Sequence, residues 1–154
     1  MKVRTIVMTL AVCLAGVAVC YASDLNMGTW KLNEAKSKIP PGATKNTTVV
    51  YSPAGDMTKV TTDGTDGSGK PVQTEWTGKF DGKDYPVTGG AAGTTRAYTK
   101  VDAHTMTVTN KTDGKVTMSG RIVVAPDGKS RTVTLISTSG DGKSMTSTGV
   151  YDKQ

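Results

Sequence analysis

Cysteine, histidine and aromatic residues are scarce in this sequence. Among 154 residues there are only 2 cysteines and 1 histidine, and aromatic residues make up 5%. Both cysteines, Cys13 and Cys20, lie in the apolar N-terminal stretch. The remainder of the chain therefore has no disulfide, no thiol nucleophile and no sulfur ligand for a metal. Its fold has to depend on a hydrogen-bonded backbone and a small apolar core.

Histidine-based catalysis also lacks its partners. His104 follows Val101-Asp102-Ala103 at a predicted turn, and general-base or metal-ligand roles need further groups that the chain does not supply. No Gly-x-Ser-x-Gly motif occurs. The acidic run at residues 63–69 has Ser68 and Thr74 where a calcium loop needs Gly and Glu, so we interpret it as a hairpin loop. We expect a protein that is not an enzyme and has no metal and no cofactor.

No hydrophobic run is long enough to span a membrane, and the longest apolar stretch is at the N-terminus. Lys2 and Arg4 precede an uncharged run at residues 6–19, and Cys20-Tyr21-Ala22 follows it. This pattern predicts a secretory signal peptide, residues 1–22, cleaved after Ala22. A membrane anchor needs roughly 20 apolar residues, and a lipoprotein signal needs a small residue before its cysteine. We expect residues 23–154 to form one domain, exported to the periplasm or outside the cell, without an integral membrane span.

Positive charge is in modest excess. Lysine and arginine total 19 against 13 acidic residues, a net charge of +6, of which Lys2 and Arg4 would leave with the signal peptide. The remaining lysines are spread over turn exits beside acidic residues, whereas nucleic-acid binding favours basic groups gathered on one face with aromatic rings. We expect no nucleic-acid partner.

Alternating polar and apolar residues dominate the rest of the chain. Asp-Gly and Gly-Gly pairs interrupt the alternation and supply the positive φ angles of tight hairpin turns. The pattern predicts an all-β protein, an antiparallel up-and-down meander of about ten strands that closes into a barrel because open sheet edges invite aggregation. A sandwich is the alternative. The predicted strands are residues 28–32, 46–52, 57–62, 71–80, 83–87, 94–101, 105–111, 115–124, 130–137 and 144–152.

The alternation also predicts which face of each strand points inward. Thr105, Thr107, Thr109, Thr132 and Thr134 are expected on a wet outer face, which argues against an outer-membrane barrel with its lipid-facing apolar band. The apolar residues of the opposite parity are expected inside. They are Val72, Trp76, Phe80, Met106, Val108, Val116, Met118, Ile122, Val124, Val133 and Leu135.

The first predicted strand carries a recognisable motif, Gly28-Thr29-Trp30-Lys31-Leu32. A Gly-x-Trp motif that opens a ten-stranded meander resembles the calycin superfamily, the lipocalins and fatty-acid-binding proteins. Residues 78–87 and 150–154 are similar to small exported bacterial lipocalin-like proteins. The resemblance implies a lipocalin-like barrel in which Gly28 and Trp30 are structural.

Two positions depart from the fatty-acid-binding proteins. Residues 33–45 contain two prolines where those proteins have a helical lid, and Gly149 stands two residues before Tyr151 where they have a carboxylate-binding arginine. In lipocalins a late arginine backs the first-strand tryptophan. The nearest candidate for that arginine here is Arg131.

Small and polar residues interrupt the predicted interior and leave room for a ligand, and the alternative is that the large inward residues fill a narrow core. Our leading hypothesis is an exported monomer that binds or carries a small apolar or amphipathic ligand inside the barrel. The alternative is a filled barrel or sandwich that acts as a structural or interaction module of the cell envelope, without a ligand. Candidate ligand-binding residues are Trp76, Phe80, Arg96, Tyr98, Met106, Met118, Arg131, Leu135 and Tyr151.

Overall fold

The computed structural model of the protein describes residues 24–138 and 142–154. The predicted signal peptide, residues 1–22, lies outside the described residues and stays a prediction. Within the part of the chain that is described, no helix is long and apolar enough to cross a membrane.

Ten antiparallel strands form one closed barrel. Each strand pairs with the next along the chain, and the last strand pairs with the first, so the predicted all-β meander is confirmed. A short 3₁₀ helix, Glu34–Lys36, follows the first strand. The strands are β1 (Gly28–Leu32), β2 (Lys45–Ala54), β3 (Met57–Thr65), β4 (Pro71–Gly78), β5 (Tyr85–Thr88), β6 (Thr94–Lys100), β7 (Thr105–Thr112), β8 (Lys115–Val124), β9 (Ser130–Thr138) and β10 (Ser144–Lys153).

The Asp-Gly turns produce the tight connections that a meander requires. Asp113 and Gly114 join β7 to β8 with φ angles of 50° and 77°. A two-residue hairpin turn of this kind needs positive φ at both positions, which aspartate tolerates and glycine adopts freely. Local sequence therefore specifies antiparallel pairing of the two strands.

The two ends of the barrel differ in content. Because neighbouring strands are antiparallel, the starts of odd-numbered strands and the ends of even-numbered strands meet at one end, which we call the filled end. Large buried side chains occupy it, and the Nε1 of Trp30 donates a 2.7 Å hydrogen bond to the carbonyl of Asn26 there. The opposite end, which we call the cavity end, is hollow. The fully buried apolar residues of the filled end include Trp30, Val60, Trp76, Met106 and Val124.

A β-bulge overturns the prediction that Val116 faces inward. Asn110 pairs with Met118 and Lys111 pairs with Val116, so Thr117 is an extra residue on β8. An extra residue reverses the facing of the side chains on one side of it. Val116 is consequently 54% exposed, while Met118 still points into the barrel.

Thr105 is also placed differently from its prediction on a wet outer face. Only 5% of this residue is exposed. Its backbone N–H donates to the carboxylate of Asp102 and its carbonyl accepts from the N–H of Val101. The turn before β7 therefore folds back over the start of the strand and covers it.

We predict that Trp30→Ala lowers the free energy of unfolding by about 3–5 kcal/mol, the usual cost of removing a large buried aromatic side chain. Val116→Ala is the matched control and is expected to change it by less than about 0.5 kcal/mol, because the side chain is exposed. Urea unfolding followed by far-ultraviolet circular dichroism measures both. Equal effects of the two substitutions would contradict the assignment of Trp30 to the core.

Candidate ligand-binding cavity

A cavity of about 440 Å³ occupies the cavity end of the barrel. Strands β2 to β10 all contribute side chains to it. Aliphatic residues form much of its wall, and residues with hydroxyl or amide groups are interspersed among them. The aliphatic group comprises Val49, Val72, Val87, Val108, Ile122, Val133 and Leu135, and the polar group includes Thr44, Asn46, Thr62, Thr74, Thr94, Asn110, Thr112, Thr117, Ser137 and Ser147.

Six of the predicted ligand-binding residues line this cavity. They come from four different strands, which the closure of the barrel brings around one space. The six are Arg96, Tyr98, Met118, Arg131, Leu135 and Tyr151. The bulge adds Thr117 to the cavity wall beside Met118.

The other three, Trp76, Phe80 and Met106, lie in the filled end and do not line the cavity. Trp76 and Phe80 stack with ring centroids 6.2 Å apart, and the Nε1 of Trp76 donates to the carbonyl of Arg96 at 2.8 Å. Met106 is completely buried. Their inward direction is as predicted, but their position along the barrel makes them the floor beneath the cavity rather than its wall.

Arg131 lies at the boundary between the two ends of the barrel. It is the second residue of β9, is only 2% exposed and still borders the cavity. Its guanidinium carbon is 4.6 Å from the ring centroid of Trp30, 5.0 Å from that of Tyr51 and 5.2 Å from that of Tyr151. Desolvated cation–π contacts of this kind contribute up to about 2 kcal/mol each. Three aromatic rings thus hold one buried cation.

Trp30 of the Gly-x-Trp motif lies beneath the guanidinium of Arg131, on the side of the filled end. The Nζ of Lys153 also makes a cation–π contact with Trp30, 5.1 Å from the centroid of the ring. Gly28 has a φ of 105°, and a Cβ there would come within 3.2 Å of the Lys153 side chain. Arg131, the nearest candidate for a late arginine, contacts the ring of Trp30 from β9 and not from the last strand.

Arg96 is the second cation beside the cavity, and its surroundings differ. Its Nε donates to the Oδ1 of Asn110 at 2.8 Å, and its guanidinium carbon is 5.9 Å from the ring centroid of Tyr98. Arg96 is half-buried. Asn110 thus satisfies part of this guanidinium, whereas Nε and Nη1 of Arg131 have no hydrogen-bond partner in the protein.

Two buried tyrosines flank Arg131 and remain neutral. Burial raises the pKa of the Tyr151 hydroxyl to about 12, an effect that the positive charge of Arg131 partly opposes. The pKa of Tyr51 is raised chiefly by burial and further by the neighbouring Tyr98, and Arg131 again opposes the shift. The Tyr151 hydroxyl donates to the carbonyl of Asn46 at 3.0 Å. Neither phenol supplies a negative charge to the cavity at neutral pH.

Several cavity residues were absent from the sequence-based candidates. Tyr51 is the clearest, because alternation along β2 places it on the same face as Val49 and it could have been found from that parity. Asn110 also follows the inward alternation of Met106 and Val108 along β7, but its polar side chain gave no signal of an interior position. Thr62 is buried against the cavity although threonine composition alone predicts the outer surface.

His104 and the acidic run serve turns. The Nδ1 of His104 lies 3.2 Å from the carbonyl oxygen of Val124. The carboxylate of Asp66 accepts the backbone N–H groups of Ser68 and Lys70 at 2.9 and 3.0 Å. The Asp66 contacts close a hairpin loop, as interpreted from the sequence, whereas the His104 side chain contacts the end of the neighbouring strand β8.

We predict that the free energy of unfolding falls as pH rises from about 10 to 12, partly through Tyr151. Its pKa is near 10 in the unfolded chain and about 12 in the folded protein, so its stabilising contribution is complete below about pH 10 and is lost on the way to about 12. Tyr151→Phe is expected to flatten this dependence. Urea unfolding at a series of alkaline pH values tests it.

Thr132→Val is the control, because it changes an exposed side chain that does not titrate in this range. It is expected to leave the pH dependence unchanged. The same alkaline slope in Tyr151→Phe as in the native protein would contradict the role given to Tyr151.

Comparisons with protein-family models and with curated proteins find no match. A solved structure described as EF1p2_mFAP2b bound to DFHBI is 15% identical, and the match covers 86% of this chain and 97% of that chain with a TM-score of 0.48. A redesigned β-barrel, mFAP1, also described as bound to DFHBI, is 17% identical over 84% of this chain and 95% of that chain, with a TM-score of 0.39. Likenesses this distant carry no argument about what this chain binds.

Proposed function

We propose that this protein binds or carries a small apolar or amphipathic molecule inside its barrel. The observation that carries the proposal is the cavity of about 440 Å³, which falls within the range of roughly 300–1,000 Å³ typical of small-molecule sites. A barrel filled throughout by its own side chains would leave no such space.

The chemistry of the wall supports an apolar ligand body. Val49, Val108, Ile122 and Leu135 expose aliphatic surface to the cavity, and burial of apolar ligand surface against them is favourable by about 25 cal/mol per Å². Met118 adds a flexible, polarisable contact that adapts to ligand shape. The polar side chains interspersed with them suit a ligand that also carries polar groups.

Binding fits the cavity better than catalysis does. The ionisable side chains that border it are Arg96, Arg131, Asp66 and three tyrosines. Asp66 already accepts hydrogen bonds from its own loop. General acid–base chemistry needs a positioned group whose pKa lies near the working pH. We propose a non-enzymatic, lipocalin-like monomer that the signal peptide directs to the periplasm or beyond the cell.

We predict that the neutral fluorescent probe N-phenyl-1-naphthylamine binds in the cavity and that Ser137→Trp weakens its binding about tenfold or more, because an indole there fills the space. Ile136→Trp is the matched control. Ile136 is the adjacent residue on β9 but is exposed on the outer face, so this substitution is expected to leave probe affinity unchanged. Fluorescence titration measures both affinities, and circular dichroism checks the fold of each variant.

The outcomes separate the two main readings of the barrel. Loss of binding in Ser137→Trp alone supports the interior site. Loss in Ile136→Trp alone would place the probe on the outer face. Absence of binding by a panel of neutral and charged probes would leave the structural or interaction module of the cell envelope as the better hypothesis.

We predict that a bacterial host processes the full chain after Ala22, giving an exported protein that begins at Ser23. Intact-mass analysis of the periplasmic fraction measures this. Ala22→Arg is expected to accumulate as uncleaved precursor, because signal cleavage requires a small residue at that position, whereas Ser23→Thr is processed normally. Full-length native protein in the cytoplasm would contradict export.

A further inference from the structure

We propose that the ligand is an amphiphile with a neutral, hydroxyl-rich head group of the glycosyl type, which binds in the outer half of the cavity while its apolar tail points to the floor. This inference rests on the proposed function and narrows it from any small apolar or amphipathic molecule. The supporting observations are the change from polar to apolar wall residues with depth, the hydroxyl groups that lack a protein partner and the balance of charge near the mouth.

Polar side chains line the mouth of the cavity, and apolar ones line its deeper wall. Asn46 is the second residue of β2, Thr94 is the first of β6 and Thr112 is the last of β7. All three line the cavity, and they lie at its mouth because starts of even-numbered strands and ends of odd-numbered strands meet there. Val108 and Ile122 line the cavity at greater depth and are buried. A ligand that matches this gradient has its polar part near the mouth and its apolar part below.

Several hydroxyl groups between the mouth and the floor have no protein partner. Thr62 and Ser147 are only 6% and 9% exposed, and Thr74 and Ser137 are half-buried. All of these residues line the cavity, and none of their hydroxyls forms a hydrogen bond with a residue that the structure describes. A buried hydroxyl without a partner costs free energy. The cavity is the space from which a ligand can reach these groups and satisfy them.

The charged groups near the mouth balance each other. Arg96 and Asp66 bring opposite charges to the lining of the cavity. Each already has protein partners, since the Nε of Arg96 donates to the Oδ1 of Asn110 and Asp66 accepts from the backbone of its own loop. Arg131 lies deeper, against aromatic rings. The mouth therefore favours neither an anion nor a cation, and a neutral head group leaves both charges with the partners they have.

Ligand hydroxyls match these wall groups better than a ligand carbonyl does. Threonine and serine hydroxyls both donate and accept hydrogen bonds, and an asparagine amide has donors and an acceptor. The Oδ1 of Asn110 accepts from Arg96, which leaves its Nδ2 to donate to a ligand. A carbonyl only accepts, so it would leave the acceptors of the wall unpaired, whereas the hydroxyls of a sugar ring pair with both kinds of group. A neutral sugar also avoids the desolvation cost of a charged head group.

Matched ligands test the proposal with the purified protein produced from the full chain. Octyl β-glucoside, 1-octanol, octanamide and octanoate have similar alkyl chains and differ in the head group. Displacement of N-phenyl-1-naphthylamine, confirmed by titration calorimetry below the concentrations at which micelles form, measures their affinities. We expect the glucoside to bind about tenfold or more tightly than each of the others, because its hydroxyls satisfy wall groups that the others leave unpaired. Methyl β-glucoside, which has no tail, should bind more weakly than octyl β-glucoside.

Variants of similar size then identify the hydroxyls. Thr74→Val combined with Ser137→Ala removes hydroxyls from the cavity, and we expect this pair to weaken glucoside binding about tenfold while octanol binding is retained. Thr77→Val combined with Ser119→Ala is the matched control. Thr77 is exposed on β4, and Ser119 lies on the outer face beside the exposed Ile136, so this pair should bind the glucoside like the native protein. Equal losses in both pairs would contradict a head group inside the cavity.

A measurement on the native protein tests the orientation of the ligand and does not depend on how the variants fold. In the complex with octyl β-glucoside we expect nuclear Overhauser effects between the sugar protons and the methyl groups of Thr94 and Thr112. The terminal methyl of the alkyl chain should show them with Val108 and Ile122. The reverse pattern, with the sugar at the floor, would overturn the proposed arrangement.

The results also separate this inference from the proposed function. If octanol, octanamide or octanoate binds as tightly as the glucoside, the hydroxyl-rich head group is wrong and the proposed function stands. Failure of the fluorescent probe and all of the octyl ligands to bind would overturn both proposals.

Discussion

The contact between the guanidinium of Arg131 and the ring of Trp30, 4.6 Å from guanidinium carbon to ring centroid, organises the interior of this barrel. Trp30 comes from β1 and Arg131 from β9, and β10 lies between them in the closed sheet. Below this contact, large side chains fill the barrel. Above it the interior is hollow. The largest fully buried side chains are thus at one end of the barrel, and the cavity is at the other.

Closure of the sheet complements that contact. With ten strands in register and β1 paired to β10, the main-chain hydrogen bonds form a continuous ring without a free edge, which limits aggregation. The described part of the chain achieves this without cysteine. The backbone therefore supplies much of the order that a larger apolar core provides in other domains.

Sequence reasoning predicted the strands well, because Asp-Gly turns and period-two alternation are local signals, which β7 and the turn at Asp113-Gly114 follow closely. It placed Val116 on the wrong face, because a bulge at Thr117 changes the alternation and a single sequence does not reveal bulges. It also grouped Trp76 and Met106 with the cavity residues. Alternation tells which side of the sheet a residue faces, but the height of that residue along the barrel depends on strand register. Arg131 was found through its resemblance to a lipocalin feature, and its unpaired N–H groups became visible only in three dimensions.

The division of the barrel into two ends has a consequence for how such a protein diversifies. Side chains of the two ends pack against each other, as Tyr98 of the cavity wall does against Trp76 with ring centroids 4.8 Å apart. Wall residues such as Thr74 and Ser137 are not part of the buried core, so substitutions there can change ligand preference with little effect on folding. Arg131 and Tyr98 differ from them, since each lines the cavity and also contacts a buried aromatic ring of the filled end. In descendants of this chain, ligand preference would be free to change at most wall positions and would be tied to fold stability at these shared residues.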